Sequence, residues 1–391
     1  MLRRVAVVGA SQAGLSAVRA LRKEGFDGTL RLIGAESRPP YQRPPLSKQV
    51  LAGVWGPERT DLGFDDSLET ELILANPAVG LDLGRRRLQL AQGPPVDFDG
   101  LVIATGASPR PLPGLPAGLS GLHYLRTVED CLAIRAELAG GPRVVIIGAG
   151  FIGSEVASTC RSLGLEVTVL EALPAPLERA LGPAMGAALG ELHRDHGVDL
   201  RLSTAVEAVV GRGRVEGVRL AGGELLPADL VVVGVGVAPG TGWLESSGLR
   251  LDDGVVCDRT CAAAPGVVAA GDVARWDHVL FGLGLRVEHW DNAVGQGEAA
   301  AATLLAGPEG ARPYAPVPFF WSDQYDTKIQ FVGTTTPDVS VEVVEGSVPE
   351  RRFVATYRRA GTLVGALLVG SPHRMPAYRK MVAERHSLTA A

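Results

Sequence analysis

The chain has 391 residues, of which 46% are hydrophobic and 21% charged, and its net charge is −5. Such a balance describes a folded globular protein of about two or three domains, and offers no electrostatic reason for nucleic acid as a partner. Four cysteines (Cys131, Cys160, Cys257 and Cys261) do not make a disulfide framework, and an isolated Cys257/Cys261 pair points away from a metal site.

No apolar run reaches the ~18 residues that span a bilayer. The opening "MLRRVAVVGA" looks superficially like a signal peptide, but its apolar run is Val5 to Val8, shorter than the ~7 residues such a segment needs. It reads as a first strand, and a cytoplasmic protein without membrane contact is expected. Arginine outnumbers lysine 34 to 4, so a lysine inside a motif carries extra weight.

That first strand runs into Gly9-Ala10-Ser11-Gln12-Ala13-Gly14, a dinucleotide-binding turn of the form G-x-G-x-x-G with Ser11 in place of the middle glycine. A helical stretch follows to Gly25, and a second apolar strand leads to Ala35 and Glu36. Alone, this turn is ambiguous. Later in the chain, residues 98–106 read "FDGLVIATG", an apolar strand closed by Ala104, Thr105 and Gly106.

The ambiguity lessens at residues 144–171, "VVIIGAGFIGSEVASTCRSLGLEVTVLE", which repeat residues 5–36 element by element. The turn is intact here: Gly148, Gly150 and Gly153, with Phe151 and Ile152 between them and Glu171 ending the second strand. The spacing from Gly14 to Gly25 recurs from Gly153 to Gly164, where glycine suits the end of a helix. Both copies are β-α-β units whose helix N-termini face a pyrophosphate, with an acid for a ribose hydroxyl. Glu171 favours NADH over NADPH, because a carboxylate repels a 2′-phosphate; Arg179 is the nearby cation that softens this preference. Two nucleotide units suggest a flavin and a nicotinamide dinucleotide. A further apolar strand ends in Gly271-Asp272, within "VVAAGDVA".

Together these stretches resemble the two-dinucleotide flavoprotein reductases. "PPYQRPPLSKQVLAG" (39–53), "LRTVEDC" (125–131), "RVEHWDNAVGQGEAAAA" (286–302) and "PFFWSDQYDTKIQFVG" (318–333) narrow the resemblance to the NADH-dependent ferredoxin reductases that feed oxygenases. It covers essentially the whole chain. It implies an α/β fold of glutathione-reductase-like architecture, with two Rossmann-like domains and a C-terminal α+β interface domain. FAD would occupy residues 1–110 and 235–312, NAD residues 111–234, and the interface domain residues 313–391.

By the same resemblance, FAD contacts fall on Ala13, Arg43, Lys48, Val79, Arg126, Asp272 and Trp290, the last beside the isoalloxazine. Core packing would also explain Trp290, and a surface position Arg126. Glu288 is expected at the nicotinamide carboxamide, with His289 and Gly236 also at the cofactors. Lys48 and Glu155 are expected to form an ion pair near the flavin's reactive nitrogen. Glu155 is expected in the first turn of its helix, where complementarity to the helix dipole is the alternative.

Between Gly25 and Gly80 there is no cysteine, so a thiol relay beside the flavin is excluded. The expected activity is electron transfer from NADH through FAD to an iron–sulfur ferredoxin, and indirectly to a cytochrome-type monooxygenase or Rieske dioxygenase. A rubredoxin reductase, an NADH oxidase or an NADH-sensing flavoprotein would share these motifs. Residues 312–391 carry ten Arg/Lys against seven Asp/Glu, a balance of +3 that leaves −8 for the remainder, and such a surface suits an acidic carrier.

Overall fold

The computed structural model describes residues 2–115 and 118–385, which divide into two compact units. Of the described residues, unit 1 comprises 2–42, 60–108 and 238–319, and unit 2 comprises 43–59, 109–115, 118–237 and 320–385.

The chain enters unit 1 through β1 (Arg4–Val8), α1 (Gln12–Lys23) and β2 (Thr29–Ile33), followed by β3 (Thr70–Ile73) and β4 (Gly100–Ile103). In unit 2 it forms β5 (Leu122–Tyr124), β6 (Val144–Ile147), α2 (Phe151–Ser162), β7 (Val167–Leu170), α3 (Pro183–Asp195), β8 (Asp199–Arg201) and β9 (Leu230–Val233). It returns to unit 1 as β10 (Ala262–Ala264), β11 (Val267–Ala269) and α4 (Trp290–Gly310). The last segment supplies β12 (Phe319–Gln324), β13 (Thr327–Gly333), β14 (Ser340–Ser347), β15 (Arg352–Arg359), β16 (Thr362–Val369) and α5 (Met375–Ala383).

Unit 1 is built on a six-stranded sheet in the order β10-β11-β4-β1-β2-β3. Its centre is parallel: Val5 to Val8 pair with Leu30 to Ile33 on one side and with residues 100–103 on the other. All four of these β1 residues are buried, as expected of a strand covered on both faces. Small residues (Ala13, Ala17, Ala293, Ala300 and Ala301) let α1 and α4 pack in one core against that sheet.

Unit 2 repeats the design in a five-stranded sheet, β8-β7-β6-β9-β5, whose paired strands all run parallel. A separate antiparallel sheet, β12-β13-β16-β15-β14, carries α5. The internal repeat extends to details. Gly25 (φ +87°) and Gly164 (φ +80°) follow their helices in the left-handed conformation, and in each copy the next residue's N–H bonds back to the helix, Phe26 to Leu21 and Leu165 to Cys160. The same ion pair also locks the start of both sheets. Arg4 donates to Asp99 at 2.9 Å, and Arg143 donates to Asp229 at 2.8 Å.

Candidate functional site

The two glycine turns have the same geometry, and it explains Ser11. A Cβ at Gly14 would lie 1.9 Å from Gly9 O, and one at Gly153 would lie 2.0 Å from Gly148 O, so the chain itself forbids a side chain at the third position. At Gly9 (φ +121°) a Cβ would meet Ala104 O at 2.0 Å, and at Gly148 (φ +102°) Gly234 O at 2.4 Å. The middle position differs: a Cβ on Gly150 would find only Gly234 O, at 3.9 Å. The protein's own packing requires the outer glycines alone, and serine at position 11 is accommodated.

Ser11 is the N-cap of α1 and Gly150 that of α2, and neither helix has a side-chain cap or an acidic residue in its first turn. The helix Val128–Leu138 shows the contrast, with a Thr127/Asp130 capping box and two acids in its first turn. The free N–H groups of α1 and α2 are therefore left for a ligand's anionic oxygens. These uncapped turns fit the two dinucleotides expected from the sequence.

Around the first turn, unit 1 gathers the other expected segments. Ala104 N donates to Val8 O at 2.7 Å, and the Thr105 hydroxyl donates to Gly240 O at 2.8 Å. Gly271 (φ +76°) approaches α1 closely enough that a Cβ there would lie 2.9 Å from the Ala13 Cβ. Its N–H donates to Gln296 Oε1 at 2.9 Å, which holds the Gly271–Asp272 turn against α4. Glu36 accepts from the Tyr41 hydroxyl, and Ala35 is exposed beside it. His289 caps α4, burial pushing its imidazole down to about 4, and Trp290 opens the helix with 37% of its surface exposed. Glu288 is paired with Arg286, whose guanidinium also donates to Asp272 O at 3.1 Å. Val79 is exposed on the strand Ala78–Asp82.

Unit 2 brings together the rest. Glu171 closes its own turn, Oε2 accepting from Ala149 N at 2.7 Å and Oε1 from Leu173 N at 2.9 Å. Arg179 is exposed on the short helix Glu178–Leu181, Ile152 is exposed on α2, and Gly236 O accepts from Arg110 N. Arg43 donates to Arg126 O at 2.7 Å, joining two residues 83 apart in sequence.

Lys48 Nζ donates to Glu155 Oε2 at 2.6 Å, and the expected ion pair is present. One expectation is corrected. The helix begins at Phe151 and has no acid in its first turn, so Glu155 lies beyond the reach of the dipole, and its partners are side chains. Two of those partners went unassigned in the sequence, although both stand in quoted strings. Ser47 donates to Oε2, and Ser322 donates to Oε1 at 2.8 Å. Nothing in residue type or spacing marks a serine as the partner of a carboxylate more than 100 positions away.

All four cysteines are free and buried. Burial pushes the thiols up, to about 11 at Cys131 and to about 12 at Cys160 and Cys261, so thiolate chemistry is unavailable to them.

Residues 3–297 match the family model described as pyridine nucleotide-disulphide oxidoreductase, and residues 319–391 match the one described as reductase C-terminal. The chain belongs to the pyridine nucleotide-disulphide oxidoreductase family. It is 38% identical to rhodocoxin reductase of Rhodococcus erythropolis over 98% of this chain and 90% of that one. It is 36% identical to the ferredoxin–NAD(+) reductase component of the anthranilate 1,2-dioxygenase system of Burkholderia cepacia, over 96% of this chain and 93% of that one. Its structure resembles the reductase in the covalent putidaredoxin reductase–putidaredoxin complex, with a TM-score of 0.93 and 32% identity over 98% and 93% of the two chains. Among the described residues no helix is long and apolar enough to cross a membrane.

Proposed function

We propose that this chain is an FAD-dependent NADH:ferredoxin oxidoreductase, delivering electrons to an iron–sulfur ferredoxin that serves a cytochrome-type monooxygenase or a Rieske dioxygenase. The observation that carries the reading is a Lys48–Glu155 ion pair in a fold of this family, with no cysteine between Gly25 and Gly80. Members that reduce disulfides need a thiol beside the flavin; here a cation stands in a motif where a thiol relay is absent. FAD, when bound, accepts two electrons from NADH and releases them singly to a one-electron carrier.

The chain's own residues bind and orient. Gly9, Ser11, Ala13 and Gly14 cradle the FAD pyrophosphate, with Ala35 and Glu36 at the adenosine ribose and Ala104, Thr105 and Gly106 packed behind the turn. Asp272, set by Gly271, receives the ribityl chain, and Trp290 covers the isoalloxazine. Arg43 and Arg126 act as one bonded pair, with Val79 at the periphery. Gly148, Gly150, Phe151, Ile152 and Gly153 form the NADH turn, Glu171 selects the free ribose hydroxyl over a phosphate, and Arg179 moderates that choice. Glu288, His289 and Gly236 line the nicotinamide end. Lys48 supplies a preorganised positive charge at the flavin's reactive nitrogen.

Residues 1–110 and 235–312 would then hold FAD, 111–234 NADH, and 313–391 would form the interface domain. We place the protein in the cytoplasm, in keeping with four unpaired thiols. The purified protein should show a flavin spectrum and reduce cytochrome c with NADH only when an acidic iron–sulfur ferredoxin is added. Colourless protein, or a rate independent of ferredoxin, overturns the reading.

A further inference from the structure

The Glu155 carboxylate is held from a direction that the reaction alone does not require. Phe151, Glu155, Ser158 and Thr159 recur at helical spacing on one face of α2. Phe151 packs edge-on against Phe320 with ring centroids 4.5 Å apart, Glu155 accepts from Ser322, and Ser158 accepts from Tyr325 N. Phe320, Ser322 and Gln324 alternate on one face of β12 and are 8%, 0% and 0% exposed. Thr159 donates to Ser47 O at 2.7 Å and so fixes the turn that carries Lys48.

A carboxylate paired with one lysine could still rotate, and the lysine stem is flexible. Here Oε2 takes Lys48 and Ser47 while Oε1 takes Ser322, so the carboxylate plane is set. Ser322 has one proton, and an ionised carboxylate can only accept. Gln324 must therefore present its amide nitrogen, and Nε2 donates to Ser322 Oγ at 3.2 Å. The remaining Gln324 oxygen is buried with no hydrogen-bond partner. That costs stability, and an apolar residue of similar size would avoid the cost.

We propose that Ser322, backed by Gln324, is a positioning residue for electron entry: it fixes the Glu155 carboxylate, which in turn aims the Lys48 ammonium at the flavin. The C-terminal sheet thereby sets the charge geometry of the reductive half-reaction, besides any role it has toward a carrier. This rests on the reading of Lys48 given above.

The test is stopped-flow reduction of the full flavin-loaded protein by NADH, anaerobically and without ferredoxin. Ser322→Ala should slow flavin reduction at saturating NADH about fivefold and leave the NADH half-saturation unchanged, while Ser322→Thr retains the rate. Gln324→Leu should slow it similarly, yet leave the melting temperature equal or higher, because the orphaned oxygen is gone. In a Lys48→Gln background, Ser322→Ala should add nothing. Full additivity in that background, or wild-type rates in both Ser322→Ala and Gln324→Leu, overturns the proposal while sparing the reading of Lys48. A Lys48→Gln protein that reduces its flavin at the wild-type rate removes both.

Discussion

Lys48 and Glu155 stand 107 residues apart in sequence, yet their charged atoms are 2.6 Å apart, with only 12% and 5% of the two side chains exposed. Removing one partner strands the other's charge in a poorly hydrated site. Glu155→Ala should destabilise the protein by about 3 kcal/mol or more, whereas Lys48→Met combined with Glu155→Leu should recover only part of that loss, because the buried Ser47 and Ser322 hydroxyls lose their acceptor. Urea denaturation of both variants checks this. Electron entry should be impaired in both.

Position 11 separates what the fold needs from what a ligand needs. Ser11→Gly should retain flavin, because the chain leaves the equivalent position in the second turn open. Ser11→Leu should lose it, and so should Gly14→Ala, whose Cβ would fall 1.9 Å from Gly9 O. Flavin absorbance per protein after gel filtration reads the outcome. A yellow Ser11→Leu protein would show that the turn is not close to the pyrophosphate.

Glu171 holds the Gly148–Gly153 turn through Ala149 N, and in the proposed function it also meets a ribose hydroxyl. Glu171→Gln keeps an oxygen acceptor but loses the negative charge. The KM for NADH should rise about tenfold, and the ratio of NADPH to NADH activity should rise with it. Steady-state kinetics with both nucleotides measures this, and equal losses toward both would confine Glu171 to the turn.

Buried imidazoles and two paired carboxylates set the acid limit of stability, and His193 and His289 are both lowered to about 4 by burial. His193 is 1% exposed on α3, bonded to the Tyr325 hydroxyl at 2.7 Å, and burial lowers its imidazole to about 4. Its folded value lies below its unfolded one, so the unfolded chain takes up the proton first. Its contribution to stability should be full above about pH 6.5 and fall as the pH drops toward 4, by up to about 3 kcal/mol. His193→Phe should make that slope shallower in pH-dependent melting, leaving the part that comes from His289. Below pH 4 a second loss is expected, as Asp99 and Asp229, held at about 2 by hydrogen bonds from Arg4 and Arg143, take up protons.

Arg351, Arg352, Arg358, Arg359, Arg374, Arg379 and Lys380 contribute to the positive balance of the last segment, although Arg351 is paired with Asp195 and Arg374 with Glu345. Reversing charge at Arg358/Arg359 and at Arg379/Lys380 should reduce ferredoxin turnover and its salt dependence, without changing NADH-driven flavin reduction. Unaltered salt dependence would place carrier docking elsewhere.

The sequence by itself determined the two β-α-β units, their glycine turns, the acids that close them and the lack of a cysteine between Gly25 and Gly80. All of these depend on local spacing: a turn, a helix and a strand each declare themselves within about thirty residues. Tertiary structure decided the rest. It sets the Cys131 thiol against Leu46 O at 3.1 Å. It showed that the outer glycines answer to backbone packing and the middle one does not, which makes Ser11 an allowed letter in the turn. It moved Glu155 past the first turn of α2 and gave it Ser47, Lys48 and Ser322 as partners, drawn from segments far apart in the chain. Such pairings depend on which faces of α2 and β12 meet. That is set by the edge-on packing of Phe151 on the buried Phe320 and by the register of the strand, and no periodicity within either element records it.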